Sequence, residues 1–491
     1  ANVLYQKLGL DHFWSEHLPA SRKGTRWDHV LQTLVSYRLI DPGSEWRLYR
    51  HWYEHSAMAD LLGADQELAE IHKLYECHEH LLEHKRELFT HLTGRWKDLF
   101  NAQFEVLLYD LTSTYFESDP PFPEEDKRRY GYSRDKRSDC VQVVIALIVT
   151  PEGFPLAYEV LSGNTSDKAT LAGFLQKIQD QYGKAQRVWV MDRGIPTEKV
   201  LEQMRASDPP VQYLVGTPRG RLSQYEQKLL ELPWQIVREG VSVKLLSEDA
   251  ELYVLAQSRD RVHKERARRR RQLKGLWQRL KKLQAMKLKR DALLKKLGAA
   301  LHPYPVAARL LDPTVLPKEA KLTFTLCKDK LRQARKREGR YLLRTNITSG
   351  RTAEELWQFY IQLTEVEAAF KNLKDDLALR PIYHQLEHRI EAHIFLSFLA
   401  YCLHITLRRR LRDLAPGLTA RSVLGKFATV QMLDVHLPTT DERTVILSRY
   451  THPETDVQLL LQQLKLELPA QPPPKIIRPK LPDNLAAVVK T

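Results

Sequence analysis

Short apolar runs rich in β-branched and aromatic residues punctuate the first half of the chain. FEVLLYD (104–110), VQVVIALIVT (141–150), FPLAYEVLSG (154–163), RVWVMD (187–192) and VQYLVGT (211–217) each read as strands, and PEG makes a turn between the second and third. Residues from about 168 to 182 carry a helical pattern, and another helix starts near Pro196. Asp167 in GNTSD falls where an N-cap belongs. The predicted order is β-β-β-α-β-α-β.

That order is the ribonuclease H-like pattern. The predicted fold is α/β: a ribonuclease H-like catalytic core with a mixed sheet, interrupted by a large insertion subdomain, plus helical N- and C-terminal regions. Residues 1–100 read as aromatic-rich helices, with Trp14, Trp27, Trp46, Trp52 and Trp96 suited to packing or to DNA-end binding. Residues 101–218 form the first part of the core, 219–339 the insertion and 340–410 the second part of the core. The insertion opens with strands in WQIVREGVSVKLLSEDAELYVLAQS, continues as helix and gives way to a strand in REGRYLLRTNI. Residues 411–491 read as short helices and a Pro-rich tail, PAQPPPKIIRPKLP, which resists packing.

Asp110 and Asp192 each close one of the predicted strands, and Glu367 lies in a helical stretch, YIQLTEVEAAFKNLK. The spacings are 82 and 175 residues, the second long enough to hold the insertion. Three carboxylates suit hard cations such as Mg²⁺, which take oxygen ligands and need neither His nor Cys. The chemistry they fit is two-metal phosphoryl transfer, as in a nuclease or transposase.

Glu365, Asp375 and Asp376 compete with Glu367 for the third place. On a regular helix at about 100° per residue, Tyr360, Glu367, Lys371 and Lys374 share one face. Val366, Phe370, Leu373 and Leu377 form the apolar stripe, and Glu365 and Asp376 point nearly opposite to Glu367. Glu367 is therefore the acid set among cations that could grip DNA phosphates.

These residues resemble the insertion-sequence transposases of the DDE class, in the group whose third-acid helix carries Tyr-x2-Arg-x3-Glu-x6-Lys. Tyr360, Glu367 and Lys374 match, and Leu363 stands in place of the Arg. GYSRDKRSD (131–139), EVLSGNTSDKATL (159–171) and LRPIYHQLEHRIEAHIFLSFLAY (379–401) extend the similarity, which runs from about residue 30 to 410. The resemblance implies metal-dependent cleavage at element ends and 3′-OH strand transfer into target DNA. It further implies two Mg²⁺ (or Mn²⁺) ions on Asp110, Asp192 and Glu367, phosphate contacts from Tyr360, Lys374, Lys371 and Arg193, and a homodimer that synapses two ends. Rival expectations are an endonuclease without joining activity and a DNA-binding protein without turnover. No small-molecule substrate is expected.

Charge adds a partner. The net charge is +15, yet residues 259–297 alone hold seventeen Lys or Arg against three Asp or Glu. The segment includes the run Arg268, Arg269, Arg270 and Arg271, with leucines at 273, 276, 280, 283, 293 and 297 at helical spacing. A basic helix or helical hairpin with one apolar stripe can follow a phosphate backbone without reading sequence.

The remaining features point away from other classes. Four scattered cysteines with no CxxC suggest a reducing compartment, and the expected localisation is cytoplasmic, with the nucleoid when DNA-bound. IHKLYECHEHLLEH offers His72, Cys77, His78, His80 and His84, which read as an amphipathic helix with surface histidines rather than zinc ligands. AHIFLSFLAYCLHITL (392–407) is short for a bilayer span and carries two histidines, so a buried core helix is expected and no membrane partner.

Overall fold

The computed structural model describes residues 1–477 except 119, 121, 184–185, 218–223, 226, 230, 249, 317–320, 442 and 469; the side chains of 167–169 also lie outside the description. The chain forms two compact units. The first comprises residues 1–104, 110–183 and 364–491, and the second residues 105–109 and 184–363.

The strands are β1 (Val106–Phe116), β2 (Val141–Val149), β3 (Pro155–Ser162), β4 (Val188–Met191), β5 (Gln212–Gly216), β6 (Gln235–Arg238), β7 (Val241–Glu248), β8 (Glu251–Ser258), β9 (Leu311–Val315), β10 (Leu322–Leu326), β11 (Arg340–Thr345), β12 (Met432–Pro438), β13 (Thr444–Tyr450) and β14 (Lys475–Ile477). In the second unit the sheet order is β1-β4-β5-β11-β8-β7-β6, and in the first β1 is followed by β2 and β3. β1, β4 and β5 are parallel, whereas β2–β3 and the ladders from β5 through β11, β8, β7 and β6 are antiparallel. A mixed sheet with β1, β4 and β5 parallel fits the ribonuclease H-like core expected from the sequence.

Several expectations need correction. Asp110 does not end its strand: β1 runs on to Phe116, because LTSTYF keeps its residues mostly buried and its β-branched content high. The C-terminal region is not only helical, since β12, β13 and β14 form a separate antiparallel sheet. Lys475–Ile477 of the Pro-rich tail pairs with β13, where KII supplies free backbone N–H groups between prolines; residues 478–482 of the tail lie outside the described residues. The helix near Lys168 spans Asp167–Tyr182 with Ser166 at the N-cap position, so Asp167 is its first helical residue; its side chain is outside the description.

Within the first unit, all nine residues of β2 are buried and all but Gln142 are apolar, which requires cover on each side. One cover is the helix Glu387–Leu414. It is long and apolar enough to cross a membrane by composition, but 94% of its apolar window is buried inside the protein. It packs on β3 through Tyr158 and Phe398, whose rings stack at 3.9 Å, and Tyr401 Oη donates to Gly153 O at 2.7 Å. Trp14, Trp27 and Trp96 are buried in the N-terminal helices, whereas Trp46 is exposed.

The histidine stretch departs from an amphipathic surface helix. It breaks into the helix Ile71–Cys77 and the 3₁₀ turns His78–His80 and Leu82–His84, and His78 is wholly buried.

Within the second unit, β6, β7 and β8 extend the sheet beyond β11, so this part of the insertion is built onto the core sheet. The basic segment folds as a hairpin of helices Arg259–Gln284 and Arg290–Leu301. Leu276, Leu280 and Leu283 pack with Leu293, Leu297 and Ala300 along the stripe read from the sequence.

Candidate active site

The parallel β1–β4 ladder runs from Val106 opposite Val188 to Tyr109 opposite Met191. The next residue along β1 is Asp110, and the next after β4 is Asp192.

In the second unit, Asp192, Arg193 and Gly194 are exposed just past the carboxyl end of the fully buried β4. Ligands of open α/β sheets bind at this end of the strands. The chain then turns into the helix Glu198–Ala206, whose Val200 N donates to the Thr197 hydroxyl at 3.2 Å.

Tyr360, on the helix Ala353–Ile361, faces this corner. Burial chiefly, and next the Asp192 charge, push its phenol up to about 12, so it stays protonated at working pH. Its ring stacks on Tyr341 at 5.8 Å, Trp357 Nε1 donates to Tyr341 Oη at 2.7 Å, and Arg261 lies 4.5 Å over the Tyr341 ring. Gly216 ends β5 beside them. A Cβ there would lie 2.9 Å from Tyr360 Oη and 3.3 Å from Arg193 N, so only glycine lets the phenol in. Gly216, Arg261, Tyr341 and Trp357 were missed by sequence reading; VGT at the end of a core strand is the one local signal for Gly216.

In the first unit, Asp110 is half-buried on β1. The stretch holding Glu367 is not one regular helix: Ala353–Ile361 ends at Gln362, Leu363–Lys371 follows, and Asn372–Asp376 is a π turn. The π turn adds residues per turn, so the common face calculated for Tyr360 through Lys374 holds only within Leu363–Lys371. There Val366, Ala369 and Phe370 are buried, while Glu367 and Lys371, one turn apart, are exposed.

The competing acids have partners. Glu365 pairs with Arg408 at 2.5 Å, Asp376 with Arg421 at 2.8 Å, and Asp375 lies 3.6 Å from Arg380. Among the described residues, no side chain pairs with Glu367. Lys374 binds Asp135 of GYSRDKRSD, with Nζ 3.1 Å from both carboxylate oxygens, and Arg380 approaches the same carboxylate at 2.8 Å. Burial lowers the Lys374 ammonium, and Asp135 partly restores it. Leu363 is half-buried at the start of its helix.

The basic run divides. Arg268, Arg270 and Arg271 are exposed, whereas Arg269 is buried and ion-paired with Glu338. Burial chiefly lowers the Arg269 guanidinium.

The family model for the transposase DDE domain matches residues 102–403, and the chain belongs to that family. It is a DNA transposase, and its family generally uses divalent metal ions. No curated protein matches the chain. Among solved structures it is similar to the piggyBac transposase synaptic complex with hairpin DNA, at 9% identity and a TM-score of 0.36, over 90% of this chain and 85% of that one.

Proposed function

We propose that Asp110, Asp192 and Glu367 are the acidic triad of a strand-transfer site, in the group of insertion-sequence transposases with a Tyr-Arg-Glu-Lys signature. What carries the reading is the pairing of Glu365, Asp375 and Asp376 with arginines, which leaves Glu367 as the acid of its stretch with an uncommitted, solvent-facing carboxylate among the described residues. The donor set is all oxygen, as Mg²⁺ or Mn²⁺ requires. The triad would hold two such ions, which supply a lowered pKa for the attacking water and charge neutralisation at the leaving 3′ oxygen.

The protein's own groups orient the DNA. Tyr360 keeps its proton and donates to a phosphate oxygen beside Asp192, and Arg193 and Lys371 hold neighbouring phosphates by charge. Lys374 acts through Asp135, fixing the chain after the third acid. Hydrolysis at the element end frees a 3′-OH; that hydroxyl then attacks a phosphodiester of target DNA, forming the new O3′–P bond as the target's own P–O3′ bond breaks and its 3′-OH leaves. The exposed arginines Arg268, Arg270 and Arg271 grip double-stranded DNA of the element end, and two chains synapse two ends as a homodimer. The enzyme works in the cytoplasm, on nucleoid DNA.

The test combines Mg²⁺ or Mn²⁺, a labelled duplex bearing the element end and a supercoiled plasmid. Cleaved ends and joined product are expected, with both lost in Asp192→Ala. Cleavage without joining would favour a nuclease, and unchanged joining in Asp192→Ala would overturn the site.

A further inference from the structure

The first unit buries a second group of metal-ligating side chains, drawn from three separate stretches of the chain. Glu45 comes from the short helix Glu45–Arg47, His78 from a 3₁₀ turn, and His384 from the segment leading to the helix Glu387–Leu414. All three are buried, and one ligand atom of each lies within 4.8 Å of the others.

The spacing is informative. His78 Nε2 is 3.7 Å and His384 Nε2 3.5 Å from Glu45 Oε1. A buried hydrogen-bond network draws such atoms together to about 2.7–3.2 Å. The edge of a tetrahedron around zinc, with bonds of about 2.0–2.1 Å, is about 3.3–3.4 Å. Both separations are longer than a well-formed buried hydrogen bond and close to the edge of a coordination shell.

Unanswered polar atoms give a second, independent observation. Glu45 Oε1 and both ring nitrogens of His78 are shielded from solvent and have no hydrogen-bond partner among the described residues. A neutral imidazole carries one N–H and one lone pair, and burying both unanswered is costly unless something binds there. Two further groups flank the cluster. His393 Nδ1 is 3.7 Å and Arg38 Nη2 3.8 Å from Glu45 Oε1. Arg38 is anchored elsewhere too, donating to Ala378 O at 3.1 Å and lying 3.4 Å from His393 Nδ1. Arg38 is thus the cationic competitor that balances Glu45 when no ion is held.

We propose that Glu45, His78 and His384 form a buried structural site for a divalent transition metal of the zinc type. Two imidazoles and one carboxylate suit zinc and its first-row neighbours, not Mg²⁺, which wants oxygen alone. Occupied, the site ties three stretches far apart in sequence and fixes the segment that follows the helix of Glu367.

Metal content and stability of the full-length chain test this. Purified protein dialysed free of loose metal is expected to retain about one zinc per chain. His384→Ala and Glu45→Gln lose it, while Asp192→Ala keeps it, which separates this site from the acidic triad. Chelation lowers Tm and zinc restores it. Should the variants misfold, Co²⁺ added to the metal-free native chain gives visible absorption bands of a nitrogen- and oxygen-ligated ion, erased by zinc. Zinc content equal in native protein and His384→Ala, or a Co²⁺ titration without such bands, overturns the proposal.

Discussion

Arg408 holds the carboxylate of Glu365 at 2.5 Å, two residues before Glu367. The two acids share a helix and a chemistry, but one is already neutralised. Glu367→Gln is therefore expected to abolish end cleavage, by at least about a thousandfold if a charge-stabilising ligand is lost. Glu365→Gln should leave cleavage within a few-fold and cost about 1 kcal/mol or less of stability, because the pair is half-exposed. Single-turnover cleavage and chemical denaturation of both variants decide it; equal loss of activity would remove the distinction.

Tyr360 stands where burial and Asp192 keep its phenol protonated. Tyr360→Phe should slow cleavage roughly ten- to a hundredfold at saturating DNA with little change in Kd, as expected for a donor used in the transition state. Because the phenol titrates near 12, the native pH–rate profile should show no inflection from it below pH 10. Gly216→Ala should reproduce much of the loss, since the added methyl meets Tyr360 Oη at 2.9 Å.

The core was legible because its physics is local. Alternating or continuous apolar runs announced β1 to β5, and acids that interrupt such runs stand out. The break at Gln362 and the π turn at Asn372–Asp376 were not legible, since a helical pattern survives a one-residue change of phase. Nor could Lys374 be assigned to Asp135, 239 residues away, or His78 to the interior, because those pairings exist only once the chain is folded. The Leu stripe of the basic segment, in contrast, marked an apolar-striped helix or helical hairpin, and the folded chain takes the hairpin.

The arginine run makes a prediction with two halves. Substituting Arg268, Arg270 and Arg271 by Ala should weaken DNA binding without regard to sequence. The slope of log affinity against log salt should become shallower by about 0.9 for each phosphate that is no longer neutralised. Arg269→Ala should instead destabilise the fold by about 3 kcal/mol, because it leaves the buried Glu338 carboxylate with only the longer, 3.5 Å contact to the partly exposed Arg266. Fluorescence anisotropy across a salt series and thermal melting separate the two. A melting temperature unchanged in Arg269→Ala would refute the structural half.

His404 lies on the buried face of the helix Glu387–Leu414, and its Nδ1 has no hydrogen-bond partner among the described residues. Burial chiefly lowers its imidazole from 6.5 to about 4, with the Asp376 charge opposing and Arg408 reinforcing the shift. The folded value lies below the unfolded one, so between pH 6.5 and about 4 the unfolded chain binds more protons. Stability from this residue is therefore complete above pH 6.5 and falls as pH drops through that window, by on the order of 3 kcal/mol at about 1.36 kcal/mol per pKa unit. His404→Phe removes the titrating group while keeping an aromatic ring in the same apolar setting. Its denaturation midpoint should depend less on pH between 6.5 and about 4 than that of the native chain, and parallel slopes for the two proteins would show that His404 does not drive the acid limb.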